Sequence, residues 1–131
     1  MPSYNITSIL TLPALKKILI VEDDPDTIEM IEAFLTMSGY AVIKINREIS
    51  MREVAGINPS LAILDYLTPY MLGNELCSLI KNHPETQHIP VLLYSASAVG
   101  KEIASACRAD AYLPKPFDLD HLLSVIQQLA N

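Results

Sequence analysis

Five short apolar runs divide this chain at intervals, and they constrain its fold more than any other feature. They are KILIV (17–21), YAVIKI (40–45), LAIL (61–64), VLLY (91–94) and AYL (111–113). Most are continuously apolar rather than alternating, as expected of strands buried on both faces of a parallel sheet. Between them the apolar residues recur at helical spacing. Strand and helix therefore alternate, which predicts an α/β fold: a doubly wound, five-stranded parallel sheet with helices on both faces.

The helical segments carry their own punctuation. Asp24 is placed to cap a helix with Pro25 at its first position; Ile28, Ile31 and Leu35 form its apolar stripe and Gly39 closes it. A short helix is expected from about Glu48 to Ala55, ending at Gly56. The third starts near Gly73, carries Leu76, Leu79 and Ile80, and stops before Pro84. The fourth is expected over Ala98 to Cys107. In the last, Asp118 caps, and Phe117 with Leu122 makes a hydrophobic staple. Residues 1–14 show no periodicity and read as an N-terminal extension to a single domain over 15–131.

Composition narrows the function classes. At 131 residues, half of them hydrophobic, the chain can bury a sizeable core. A net charge of −6 and a pI near 4.9 argue against a protein that grips nucleic-acid phosphates. No apolar run approaches the roughly 18 residues of a membrane span, and the first residues lack a basic leader. A cytoplasmic protein is expected, with protein or cation partners. Cys77 and Cys107 have no metal-ligand spacing and read as buried free thiols. Asn5-Ile6-Thr7 matches a glycosylation acceptor, which without a secretory route reads as chance.

The polar residues are more telling for where they fall. Glu22 and Asp23 end the first apolar run, Asp65 the third and Ser95 the fourth, and Lys115 follows the fifth. Singly, an acid there is most often a helix cap and a Lys-Pro a solvated loop. Together they would line the carboxyl edge of one sheet, where open α/β sheets bind their ligands. In the strand order 2-1-3-4-5 the third strand is central, flanked by the acids on one side and by Ser95 and Lys115 on the other. Two carboxylates about 4 Å apart repel by roughly 4 kcal/mol at an effective dielectric near 20. A divalent cation relieves that repulsion, and hard oxygen donors suit Mg²⁺.

These segments resemble the receiver domain of two-component response regulators over about residues 16 to 131. ILIVEDDPD resembles the family's acidic turn, and SLAILDYLTPYMLGNEL its phosphoacceptor segment, with Pro69 four and Gly73 eight residues after Asp65. IPVLLYSA supplies a switch hydroxyl at Ser95, and YLPKPF supplies Lys115 with Tyr112 as the switch aromatic. The resemblance implies the flavodoxin-like order 2-1-3-4-5 and an aspartyl phosphate formed on Asp65. It implies Mg²⁺ held by Glu22, Asp23, Asp65 and the Leu67 carbonyl, with Lys115 and Ser95 contacting phosphoryl oxygens. The implied donor is a sensor histidine kinase or a histidine phosphotransfer protein. The implied output is a downstream protein, or a second copy, on the face of the fourth helix, fifth strand and fifth helix.

Three positions depart from the family pattern. Arg108 stands where a glycine is usual, so the turn there is expected to differ; Leu67 and Ser97 occupy positions that tune phosphoryl lifetime in the family. The last predicted helix ends the chain, so a stand-alone receiver and one cut from a longer protein both fit. Two other classes compete: a pseudo-receiver that binds partners without phosphorylation, and a Mg²⁺-dependent phosphohydrolase. The second usually carries an Asp-x-Asp motif, which Asp65-Tyr66-Leu67 lacks. A signalling switch rather than a turnover enzyme is the expectation.

Overall fold

A computed structural model of the chain describes residues 14–130. All but the last residue of the expected extension, and the Asn5-Ile6-Thr7 sequence with it, lie outside the described residues. The elements are β1 (Lys17–Val21), α1 (Pro25–Met37), β2 (Ala41–Ile45), α2 (Met51–Ile57) and β3 (Leu61–Asp65). They continue with α3 (Gly73–Asn82), β4 (Val91–Ser95), α4 (Gly100–Ala106), β5 (Ala111–Pro114) and α5 (Leu119–Leu129). The strands form one sheet in the order β2-β1-β3-β4-β5, and every pairing is parallel. This is the flavodoxin-like architecture that the alternation and the resemblance predict.

Strand side chains alternate between faces, and the sheet sorts them into two cores. Leu19, Val21, Ala62, Leu64, Val91 and Leu93 pack with Val54 of α2, Leu76, Cys77 and Ile80 of α3, and Ala104 of α4. Ile18, Ile20, Leu61, Ile63, Leu92, Tyr94 and Leu113 pack on the other face with Ile31 and Leu35 of α1 and Leu122 and Ile126 of α5. Residues of β3 and β4 are buried throughout, as continuous apolar runs require. Each fully buried Leu or Ile contributes about 1.5–3 kcal/mol of hydrophobic transfer. Among the described residues, no helix is long and apolar enough to cross a membrane.

Helix ends follow the sequence in three cases and depart from it in others. Asp24 caps α1 by accepting from the Thr27 amide, Asp118 caps α5 by accepting from the His121 amide, and Gly39 turns left-handed at φ 94 after α1. Helix α2 begins later than expected, because Ser50 and Glu53 form a reciprocal capping box. Gly56 lies within that helix, and Asn58 ends it in the left-handed conformation at φ 47. The fourth helix is shorter than expected, since Ala98 and Val99 belong to the turn before Gly100. Leu79 is 46% exposed rather than buried. Gly73, Leu76, Cys77 and Ile80 form the buried stripe of α3, and Leu79 falls outside it.

The turn at Arg108 does not differ as expected. Arg108 takes φ 64, the left-handed conformation a glycine would adopt, at a cost of about 1–2 kcal/mol. Its guanidinium donates to Asn82 Oδ1 at 2.6 Å and to the Lys81 carbonyl at 3.3 Å, an anchor onto the end of α3 that a glycine lacks.

Candidate functional site

Strand register brings the expected acids together. Val21 pairs with Leu64, so the next residues, Glu22 and Asp65, stand side by side at the carboxyl edge. Both continue the strand face that carries Ile18, Ile20 and Ile63, the face packed by α1 and α5. Glu22 is 1% and Asp65 6% exposed, while Asp23 opens to solvent. Carboxylate oxygens of the three lie within 4.8 Å of one another. Lys115 reaches in from beyond β5, its Nζ 3.4 Å from Asp65 Oδ1 and 3.7 Å from Glu22 Oε1. The Lys115–Pro116 peptide is cis.

This cluster is electrostatically incomplete. Burial, aided by the hydrogen bond and charge of Asp65, pushes the Glu22 carboxyl up to about 8, against smaller opposing pulls from Lys115 and from the Tyr94 hydroxyl. Burial thus favours the protonated form of Glu22 when no cation is bound. Among the described residues its Oε2 is buried without a hydrogen-bond partner, a state that costs about 1–3 kcal/mol unless something completes it. The Tyr70 hydroxyl, likewise unpaired, is pushed up to about 12 by burial first and then by the charges of Asp23, Glu22 and Asp65. An unsatisfied carboxylate oxygen within a set of hard oxygen donors fits Mg²⁺ chemically.

Gly73 explains itself here. A Cβ at this position would sit 2.3 Å from the Asp65 carbonyl oxygen, so only glycine lets α3 start against the end of β3. Thr68 is buried and donates from Oγ1 to the Met71 carbonyl within the connecting loop. Leu67 is 58% exposed, two residues past Asp65.

The expected switch residues lie on the other face of the sheet. Ser95 is 1% exposed and its Oγ accepts from the Ser97 amide at 2.9 Å. Its carbonyl accepts from the Lys115 amide at 2.8 Å and from the Tyr112 hydroxyl at 3.4 Å. Tyr112 is turned toward the start of α4, where a Cβ on Gly100 would meet its hydroxyl at 2.3 Å. Gly100 thus keeps open the space that Tyr112 fills.

Sequence reasoning missed Tyr94 and Tyr70. Tyr94 pairs with Asp65 across β3 and β4 and is 1% exposed, with its hydroxyl unpaired and Lys115 Nζ 4.5 Å from its ring centroid. The available signal was an aromatic ending a strand otherwise built of aliphatics. An open groove lined by Thr27, Met30, Ala96, Lys115, Pro116 and Phe117 borders the cluster on the α1 side.

The fold and this edge define a doubly wound α/β domain with an acidic pocket and one inward lysine. The chain belongs to the response regulator receiver domain family, whose model matches residues 18–127. It is 33% identical over 117 residues to the transcriptional regulatory protein GltR of Pseudomonas aeruginosa, a match over 87% of this chain and 48% of GltR. The chain thus spans about half the length of the curated relatives it first matches. Among solved structures, the response regulator receiver domain from Bermanella marisrubri superposes with a TM-score of 0.79 at 30% identity, covering 90% of this chain and 100% of that one. The Thermotoga maritima response regulator TrrA, solved in complex with Mg²⁺ and BeF, superposes with a TM-score of 0.78 at 27% identity over 88% of this chain and 99% of its own.

Proposed function

We propose that this domain accepts a phosphoryl group on Asp65 with Mg²⁺ at the acidic edge, and that the new charge switches a protein-binding surface. One observation carries the reading: Asp65 lies buried at the end of the central strand between a second carboxylate and an inward lysine. The relative solved with Mg²⁺ and BeF supports the choice of ion.

Glu22, Asp23, Asp65 and the Leu67 carbonyl would hold Mg²⁺, which offsets their repulsion and draws charge from a phosphoryl group. An Asp65 oxygen attacks the phosphorus of a phosphohistidine; the P–N bond breaks as the P–O bond forms, and the imidazole departs with the electron pair. Lys115 neutralises one phosphoryl oxygen, and the Ser95 hydroxyl, while accepting from the Ser97 amide, donates to another. Positioning and charge neutralisation suffice for such a transfer. The donor would be a sensor histidine kinase or a histidine phosphotransfer protein in the cytoplasm, and the domain acts as a switch rather than a turnover enzyme.

Output would follow from Ser95. Drawn toward a new dianion as a charge-assisted donor, it pulls on the loop that leads into α4, against which Tyr112 packs. The α4–β5–α5 face would then change and bind a downstream protein or a second copy.

Incubation with acetyl phosphate and Mg²⁺, followed by intact mass, tests the reading. One phosphoryl group should be gained by the wild type and none by Asp65→Asn. A wild-type gain in that variant refutes the assignment.

A further inference from the structure

Tyr94 occupies a place where an aliphatic residue would serve the core equally well. It is fully buried among Ile20, Ile63, Leu92 and Leu113, and its hydroxyl faces the Glu22 carboxyl without a hydrogen bond of normal geometry among the described residues, a polar cost that leucine avoids. The ring is held firmly: Phe117 meets it edge to face, with centroids 5.8 Å apart and planes at 84°. Over its face stands Lys115 Nζ, 4.5 Å from the centroid and within cation–π range. The two carboxylate contacts of Lys115, at 3.4 and 3.7 Å, are long for ion pairs. They are made by the same carboxylates that a cation would engage. The Lys115 side chain is 27% exposed, so its ammonium also has a way out to solvent.

We infer that Tyr94 is a positioning residue whose ring keeps the Lys115 ammonium at the site when Glu22 and Asp65 turn to a bound cation. The inference rests on the reading of Asp65 as phosphoacceptor. A lysine loses rotamer freedom when it is fixed at a phosphoryl group. The Tyr94 ring imposes that restriction beforehand, and its contact with the ammonium does not compete with Mg²⁺ for carboxylate oxygens. The essential feature is the ring, so Phe should replace Tyr and Leu should not.

The test measures the initial rate of phosphoryl gain from acetyl phosphate in saturating Mg²⁺, by intact mass. Tyr94→Phe should react near the wild-type rate and Tyr94→Leu about tenfold more slowly, with Mg²⁺ affinity unchanged. In a Lys115→Ala background Tyr94→Leu should add no further loss, because a residue acting through Lys115 has nothing left to position. In the wild type, ring current should also place the Lys115 ε-methylene protons upfield of those of other lysines. That spectrum decides the matter even if Tyr94→Leu fails to fold. Wild-type rates in Tyr94→Leu, equal slowing with or without Lys115, or unshifted ε-methylene protons would each overturn the inference. Absence of any phosphoryl gain in the wild type would overturn the phosphoacceptor reading, and the inference with it.

Discussion

The two ends of the sheet treat charge in opposite ways. At the amino end of β4, Lys81 is largely buried, pairs with Asp110 at 2.6 Å and donates to the Ile89 carbonyl at 2.9 Å. Asp110 in turn accepts from the Val91 amide at 2.7 Å, and Arg108 reaches Asn82 beside it. These charged groups are answered within the chain. At the carboxyl end, two buried carboxyl groups share one lysine at longer range, and among the described residues a Glu22 oxygen has no hydrogen-bond partner. One end is closed within the fold, and the other leaves a buried carboxyl oxygen open among the described residues. Satisfied and unsatisfied polar groups on a single sheet thereby separate structure from function.

The largest effect that sharpens this contrast is on pH. Glu22 has a folded-state value near 8 against 4.5 in the unfolded chain, so between those limits the folded state holds a proton the unfolded state has lost. The stability from this group is fully present below pH 4.5 and is lost as pH rises through 8, at no more than about 1.4 kcal/mol per pH unit. Chemical denaturation in EDTA should show that decline from pH 5 to pH 8, and Glu22→Gln should flatten it. Calorimetry near pH 7 in buffers of different ionisation enthalpy should show up to one proton released on Mg²⁺ binding. A stability that rises over this range would place the unpaired charge elsewhere.

Breaking the paired end should act next in size. Lys81→Met leaves the Ile89 carbonyl without its ammonium donor and Asp110 with the Val91 amide alone, and urea unfolding should report a loss of about 1–3 kcal/mol, below the figure for fully buried pairs because Asp110 is 38% exposed. Phosphorylation by acetyl phosphate should persist in the folded fraction. Smaller still is Arg108→Gly, in which relief of left-handed strain opposes loss of the Asn82 anchor. The net change should stay within about 1 kcal/mol by the same measurement. A clearly larger loss would make the anchor rather than the backbone dominant.

The smallest effect belongs to the open rim of the site. Leu67 is exposed beside Asp65 and offers no hydrogen bond to orient an attacking water. Leu67→Asn should shorten the phosphoryl lifetime a few-fold, read as loss of the added mass over time; an unchanged decay would remove Leu67 from the account of hydrolysis.

Much of this was legible in the residues because the fold writes its sheet and its chemistry in the same places. Buried parallel strands appear as unbroken apolar runs, and the groups at their ends must meet at one edge once the strands align. Glu22, Asp23, Asp65 and Lys115 were found in that way, and the structure brings them together. Helix phase was less legible: Leu79 and Cys77 compete for one stripe, and packing against the sheet chose the smaller residue. The start of α2 depended on the Ser50–Glu53 capping box, which a start near Glu48 passes over, and Gly56, read as the end, lies inside the helix. Tyr94 was hidden inside an apolar run. Which face of β4 it would join, and that Lys115 would settle on its ring, became apparent only once β3, β4 and α5 were packed.

Thermal unfolding of the wild type and of Asp65→Asn at pH 8, each in EDTA and in saturating Mg²⁺, tests most directly whether the carboxyl edge is built to be completed by a cation. Asp65→Asn should unfold at the higher temperature in EDTA, since it removes a buried charge beside the Glu22 carboxyl; Mg²⁺ should raise the wild type clearly and move the variant little. A wild type that is already the more stable in EDTA, and that gains nothing from Mg²⁺, would contradict it.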